Sequence, residues 1–406
     1  NAHTGTIAIG HQALTACTTG NANTVIGYQA GDAILTGIRN TILGYQAGTN
    51  MGNAEASNVA VGYLAMGAVD EGGSGGDADG NIAIGEDALY GGDFSSNDRQ
   101  LLGNVAIGYQ ALDGTAANEH IGTIAIGYQA LTACTSGSSN VAIGYQAGDA
   151  LTTTSENVII GHVAGGGAGQ YNNTIVGYGA GTAYTGNSSV FVGSGVAGAG
   201  SASGTNNVGV GRNALLAITT GSDNIAIGKA AFDANTVGVE TIAIGTNALG
   251  TANENDNDGS IAIGHNALAV QAGTGGNQFA NANIGIGHSA GVAITTGGSN
   301  LAIGYQALQT VQTGTSNIAI GYQAMDATAT NADDNVAIGY NSMGGSWASD
   351  CNNNVALGNY TLDGNIDGLT GTVAIGHQAL TACTTGSGNT SIGYLSGALI
   401  VAGVNN

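Results

Sequence analysis

The stretch Asn104-Val105-Ala106-Ile107-Gly108-Tyr109-Gln110-Ala111 decides how this chain is read, because near copies of it recur almost from end to end, as TIAIGHQALT from Thr6 and NIAIGYQAMD from Asn317. With the Gly of each phrase as a marker, from Gly10 and Gly27 through to Gly393, there are 22 copies, most often 17 residues apart and 23 apart at three places. A fixed short period is the signature of stacked structural repeats, each contacting only its neighbours.

Within the phrase the constraints are sharp. The residue before the marker Gly is Ile, Val or Leu in every copy, and the residue three before it is aliphatic in 18 and Thr in 4, as at Thr24. Two positions of the same kind separated by one point to the same face of an extended strand. Each phrase therefore predicts a short β-strand. Four before the marker stands Asn in 16 copies, among them Asn104, Asn140 and Asn317, and otherwise Thr or Ser. These side chains satisfy turn backbone, and stacked coils line them up as an amide ladder. Ile107, Ile143 and Ile320, with Gly108, Gly144 and Gly321, complete the structural repeat. The Gly itself predicts a bend or a close approach of another backbone.

Past the marker the pattern is x-x-Ala in 18 copies, followed by Leu in 10 and Gly in 7. Coils of two widths follow from this, with two short strands expected per coil. The 406 residues include 74 Gly and no Pro, which suits a backbone whose N–H groups are nearly all needed between coils. The expected architecture is all-β, a parallel β-solenoid of about 22 coils forming one repeat domain over residues 1–406. At about 4.8 Å per coil it makes a rod of roughly 105 Å. Its core of Ile, Val, Ala and Leu is thin, and lateral association is the natural way to complete it.

Composition narrows the function. A net charge of -22, with only 4 Lys and Arg against 26 Asp and Glu, cannot build a phosphate-neutralising surface. Nucleic acid and anionic membranes are thereby disfavoured as partners, and no apolar run approaches the roughly 18 residues of a membrane-spanning helix. The chain begins at Asn1 inside a repeat and reads as a piece of a longer fibre protein.

The phrase Asn-Val-Ala-Ile-Gly at Asn104 to Gly108, Asn140 to Gly144 and Asn335 to Gly339 resembles the head repeat of YadA-type trimeric autotransporter adhesins. With Tyr-Gln-Ala following, as at Tyr109 to Ala111, it is similar to repeats of bacteriophage tail-fibre proteins. The resemblance covers essentially the whole chain. It implies a left-handed parallel β-roll, three chains side by side, and aliphatic phrase positions facing the trimer core. This chain departs from the adhesin heads in its longer period, near 17, and in having no stalk coiled coil or membrane anchor, which tilts the reading toward a phage fibre. The resemblance also implies an extracellular or virion-surface location and attachment to a host-surface glycan or protein. The alternatives are an extracellular filament subunit, a solenoid enzyme or an ice-binding solenoid. Against the last two, hexapeptide-repeat acyltransferases want an aliphatic residue every six positions, and ice binding wants Thr in one column of nearly every coil.

Several positions invite chemistry. Directly after the marker stands Tyr in 11 copies, among them Tyr28, Tyr45, Tyr63, Tyr109, Tyr145, Tyr305 and Tyr322, and His in 5. A column in which phenol and imidazole interchange asks for a flat ring with a polar tip. It reads first as a stacking ladder sealing a rim of the core, and second as a ligand-facing row of rings for carbohydrate, which requires exposure. His265 and His288 follow successive markers and are the weak metal candidates; otherwise no metal or cofactor is expected. Calcium could be held by the oxygen-rich loops at Asp70 to Gly80, Asn253 to Gly259, Ala332 to Asn335 and Asp363 to Gly368, although none carries the full calcium-loop pattern. Cys17, Cys134 and Cys383 recur in the phrase Leu-Thr-Ala-Cys-Thr and lie six or more coils apart, about 29 Å at the coil rise, so free thiols are expected. No phosphate loop, nucleophile elbow or zinc-protease motif is present, and the chain is expected not to be an enzyme.

Overall fold

A computed structural model of the chain describes residues 4–52, 54–70, 77–92, 100–115, 118–198, 200, 202–251, 258–271, 282–326, 331–347 and 349–405. The fold is all-β, a parallel β-solenoid of about 21 turns, and the described residues include no α-helix. The chain divides into two compact units, Asn1–Ser203 and Gly204–Asn406. Among the described residues each unit carries eleven three-residue strands on the repeated phrase, from Ile7–Ile9 to Val190–Val192 in the first and from Val208–Val210 to Thr390–Ile392 in the second.

Successive strands pair in parallel with phrase positions in register: Val105 lies beside Ile124, Ala106 beside Ala125 and Ile107 beside Ile126. The alternation within each strand sets its two faces. The middle residue is buried inside the coil, as at Ala106, Ala125 and Ala142, and its two neighbours point outward.

The expectation of two strands per coil is corrected: the phrase supplies one, and only short extra pairings occur, Leu101–Leu102 with His120–Ile121 and Thr385–Ser387 with Ala402–Val404. Backbone conformation gives the reason. Residues two and four past the marker sit in the left-handed region, as at Gln129 (φ 54°) and Leu131 (φ 53°), so the return wall cannot run extended. It is still tied coil to coil, Gln129 N–H donating to Tyr109 O at 2.8 Å and Leu112 N–H to Ala130 O at 2.9 Å.

A left-handed Leu costs about 1–2 kcal/mol, and full burial of its side chain recovers about 1.5–3 kcal/mol. Leu131 is fully buried, so burial wins and the strained position tolerates it. Where the same position is Gly, the space is filled from three residues on, by Ile34, Met51, Leu151, Tyr184 or Ile294. At Gly148 an added Cβ would lie 2.9 Å from Leu131 Cδ2 and 3.2 Å from Leu151 Cδ1. In three of the Leu coils that third residue is a small Cys, Cys17, Cys134 and Cys383 following Leu14, Leu131 and Leu380, whereas Ile218 and Val311 follow Leu215 and Leu308. The Leu–Cys and Gly–large coils are thus two ways of filling one volume.

The marker Gly is required by close approach. Gly144 has φ 137°, and a Cβ on it would lie 2.3 Å from the carbonyl oxygen of Gly161 in the next coil. No side chain fits between these stacked backbones.

The amide ladder is present and buried. Asn300 N–H donates to Asn283 Oδ1 (2.9 Å), and its Nδ2 donates to the same oxygen (3.1 Å) and across the coil to Gly314 O (2.8 Å). Its own Oδ1 accepts from the backbone N and the Nδ2 of Asn317, each at 3.0 Å. Each amide therefore bridges to the adjacent rung and to the opposite wall. Where the ladder residue is Ser, another side chain reaches in: Tyr184 OH lies 2.6 Å from Ser189 Oγ, and Gln271 Nε2 donates to Ser260 Oγ at 3.3 Å.

Candidate functional site

Three parallel columns reach the surface of each unit. The first is apolar. The residues one and three before the marker, among them Ile107, Ile143 and Ile320, stay partly exposed along both stacks, with Ile84 at 38 % and Ile227 at 39 %. Large aliphatic side chains in two continuous rows exceed the scattered apolar exposure of an ordinary surface. Inside the coil, on the opposite face of the same strands, lie the small residues and the buried Asn104, Asn140 and Asn317.

The second column is the row of rings, and it is both stacked and exposed. In the first unit His11, Tyr28, Tyr45 and Tyr63 form one run and Tyr109, Tyr128, Tyr145, His162 and Tyr178 another, with centroids mostly about 5.1 Å apart. In the second unit His265, His288, Tyr305, Tyr322 and Tyr340 continue the pattern. Tyr28, Tyr45, Tyr63 and Tyr305 are all exposed. Ring faces at this spacing are occupied by one another, so within a run only edges and phenol tips meet solvent.

The third column was not singled out in the sequence, although Gln beside Tyr recurs there. Gln29 Nε2 donates to Gln12 Oε1 (2.9 Å), Gln46 to Gln29 (3.0 Å), Gln129 to Gln110 (3.0 Å) and Gln323 to Gln306 (3.1 Å). A second, surface amide ladder thus runs beside the rings. The coil stacking also brings together two of the chain's four cations. Arg212 and Lys229 occupy adjacent rungs of the ring column, directly after Gly211 and Gly228, and both are exposed.

His265 and His288 do meet, as stacked rings with centroids 4.9 Å apart and planes 21° apart. Nitrogen lone pairs lie in the ring plane, so stacked imidazoles aim them side by side and not at a common point. His288 Nδ1 is 3.1 Å from Ser289 Oγ. Among the described residues no group of three or more His, Cys, Asp or Glu is placed to hold a metal ion. Of the acidic loops, residues 71–76 and 252–257 lie outside the described residues. Elsewhere the carboxylates are engaged between coils: Asp333 Oδ1 accepts from Thr315 N (2.7 Å), Asp363 Oδ1 from Asn341 Nδ2 (3.0 Å) and Asp367 Oδ1 from Ser349 Oγ (2.6 Å).

None of the four cysteines, all among the described residues, forms a disulfide. Burial pushes the Cys134 thiol up to about 12 and, with smaller opposing contributions from neighbouring backbone, Cys351 to about 11. They act as small core residues.

Fold and surface together define a parallel β-solenoid protein with an apolar wall and an adjoining ring ladder in each unit. No family model matches the chain, and no curated protein sequence matches it.

Proposed function

We propose that this chain is a structural and adhesive fibre segment, of a phage tail fibre or a surface adhesin, that works at a host surface as a side-by-side homotrimer of left-handed β-rolls. The observation that carries the reading is the continuous apolar wall. Its aliphatic side chains are partly exposed, 39 % at Ile227 and 58 % at Ile9, so covering one contributes about 0.5–1 kcal/mol, scaled from about 1.5–3 for complete burial. With Thr at Thr24, Thr41, Thr174 and Thr390, the eleven strands carry 19 such residues in the first unit and 21 in the second, roughly 10–20 kcal/mol per unit, enough to offset the about 4–15 kcal/mol cost of association. The resemblance of the phrase to trimeric adhesin and tail-fibre repeats supports the number three and the handedness. In this assembly the ring ladder borders the interface, the location is extracellular or on the virion, and the chain performs no catalysis.

The test is the mass of the undenatured chain by multi-angle light scattering. The expected value is three times the 39.3 kDa of one chain. Introducing Ile143→Glu together with Ile320→Glu should lower it to that of one chain. A single-chain mass for the unsubstituted protein would refute the trimer, and a much larger one would point to a filament.

A further inference from the structure

In the first unit the ring ladder is interrupted at a single coil. Between Tyr63 and Tyr109 the column carries Glu86, and the succession is direct. Asp87 N–H donates to Tyr63 O (3.0 Å) and Gln110 N–H to Glu86 O (2.9 Å), with Val59, Ile82 and Val105 in register on adjacent strands. The rings on either side are therefore two coils apart, about 10 Å at the coil rise. Tyr63 stacks only on Tyr45, at 5.7 Å and 27°, and Tyr109 only on Tyr128, at 5.1 Å and 15°. Among the described residues no ring lies against the face that either turns toward Glu86. Tyr90, the other ring among the described residues of that coil, is directed elsewhere, its Cε2 3.0 Å from where a Cβ on Gly67 would stand.

The column also lacks a ring at Ser194, Arg212, Lys229, Thr246 and Asn359, and the last of these, flanked by rings on both sides, provides the comparison. At Asn359, between Tyr340 and His377, the next residue is Tyr360, and it leans into the ladder. Its ring centroid is 5.2 Å from that of Tyr340 and 6.1 Å from that of His377. There the chain fills its own gap. At Glu86 the next residue is Asp87, which has no ring to offer.

We propose that the Tyr63–Glu86–Tyr109 gap is a binding slot for a guanidinium group. A flat group at the missing rung lies about 5 Å from both ring centroids, within the roughly 6 Å reach of a cation–π contact. Glu86 is exposed at that same rung and offers a carboxylate for a paired, bidentate contact. The surrounding field is negative: Tyr109 has its phenol pushed up by desolvation and then by Glu86, Tyr128, Asp87 and Asp113. The paired contact with a carboxylate favours the planar fork of a guanidinium over a tetrahedral ammonium, and charge selects it over a neutral sugar or aromatic ring. The site stands independently of the trimeric reading.

Saturation-transfer NMR on the full chain tests it, with methylguanidinium and N-acetyl-arginine amide as probes. Saturable binding is expected, at least tenfold weaker in Glu86→Gln and lost in Glu86→Tyr. The second substitution restores the ladder's usual residue, and unchanged circular dichroism would show that it folds. Binding of both probes identifies the bare guanidinium as the ligand, and binding of the amide alone identifies an arginine within a polypeptide; either upholds the slot. No saturable binding, or equal binding in Glu86→Tyr, overturns it.

Discussion

Replacing Asn300 by Ala should open the solenoid locally, and the cost can be assembled bond by bond. The substitution keeps the Asn300 N–H donation to Asn283 Oδ1 but removes the side-chain bonds to that same oxygen and to Gly314 O and both bonds accepted from Asn317. Asn317 Nδ2 retains its bond to Ala332 O, so two buried backbone groups lose their partners, the Asn317 N–H and the Gly314 carbonyl. At about 1–3 kcal/mol for each unsatisfied group, the expected loss is about 2–6 kcal/mol. Asn300→Thr should cost less, because Thr123, Thr241 and Thr372 already serve in the ladder and Thr123 Oγ1 reaches Gly137 O at 3.3 Å. A long repeat array need not unfold in one step, so a melting temperature is the wrong observable. Hydrogen exchange of peptides covering residues 283–317 reads the local opening directly. Exchange should accelerate by roughly one and a half to four orders of magnitude in the Ala variant, at about 1.4 kcal/mol per factor of ten. Unchanged protection in those peptides would refute the view that the buried amides hold the coils in place.

Gly144→Ala places a Cβ 2.3 Å from Gly161 O; limited proteolysis should cut near residue 144 in this variant and leave the unsubstituted chain intact. Burial first, with a neighbouring carboxylate adding, raises Asp113 and Asp326 from an ordinary 3.8 to about 6. Because the folded state then binds more protons than the unfolded one between about pH 4 and 6, stability should fall as pH rises through that window. Both groups are partly exposed, so screening reduces the effect; Asp113→Asn and Asp326→Asn should flatten the dependence of hydrogen-exchange protection on pH. Cys134, buried and raised to about 12, should resist iodoacetamide at pH 8 in the folded chain and react once it is denatured, as peptide mapping would show.

The repeat was fully legible in the sequence because each of its strong positions answers to a local requirement. Gly108 and its counterparts mark a backbone contact that no Cβ survives, Asn104 and its counterparts a buried amide bridge, and the paired aliphatics a strand with two outward rows. Those are properties of one coil against an identical neighbour, so one period of sequence contains them. The ring ladder was legible for the same reason, since Tyr28 and Tyr45 share a column by register alone.

What only the tertiary structure decided depends on how different coils meet. The return wall is not a strand, because left-handed residues at Gln129 and Leu131 bend it, and composition does not betray a left-handed Leu that burial makes tolerable. The exchange of Leu131 with Cys134 for Gly148 with Leu151 is a matter of shared volume across coils. Glu86 looks in the sequence like one more acidic residue. Stacking alone turns it into the missing rung between two tyrosines, because side chains 23 residues away on either side become its nearest neighbours along the column.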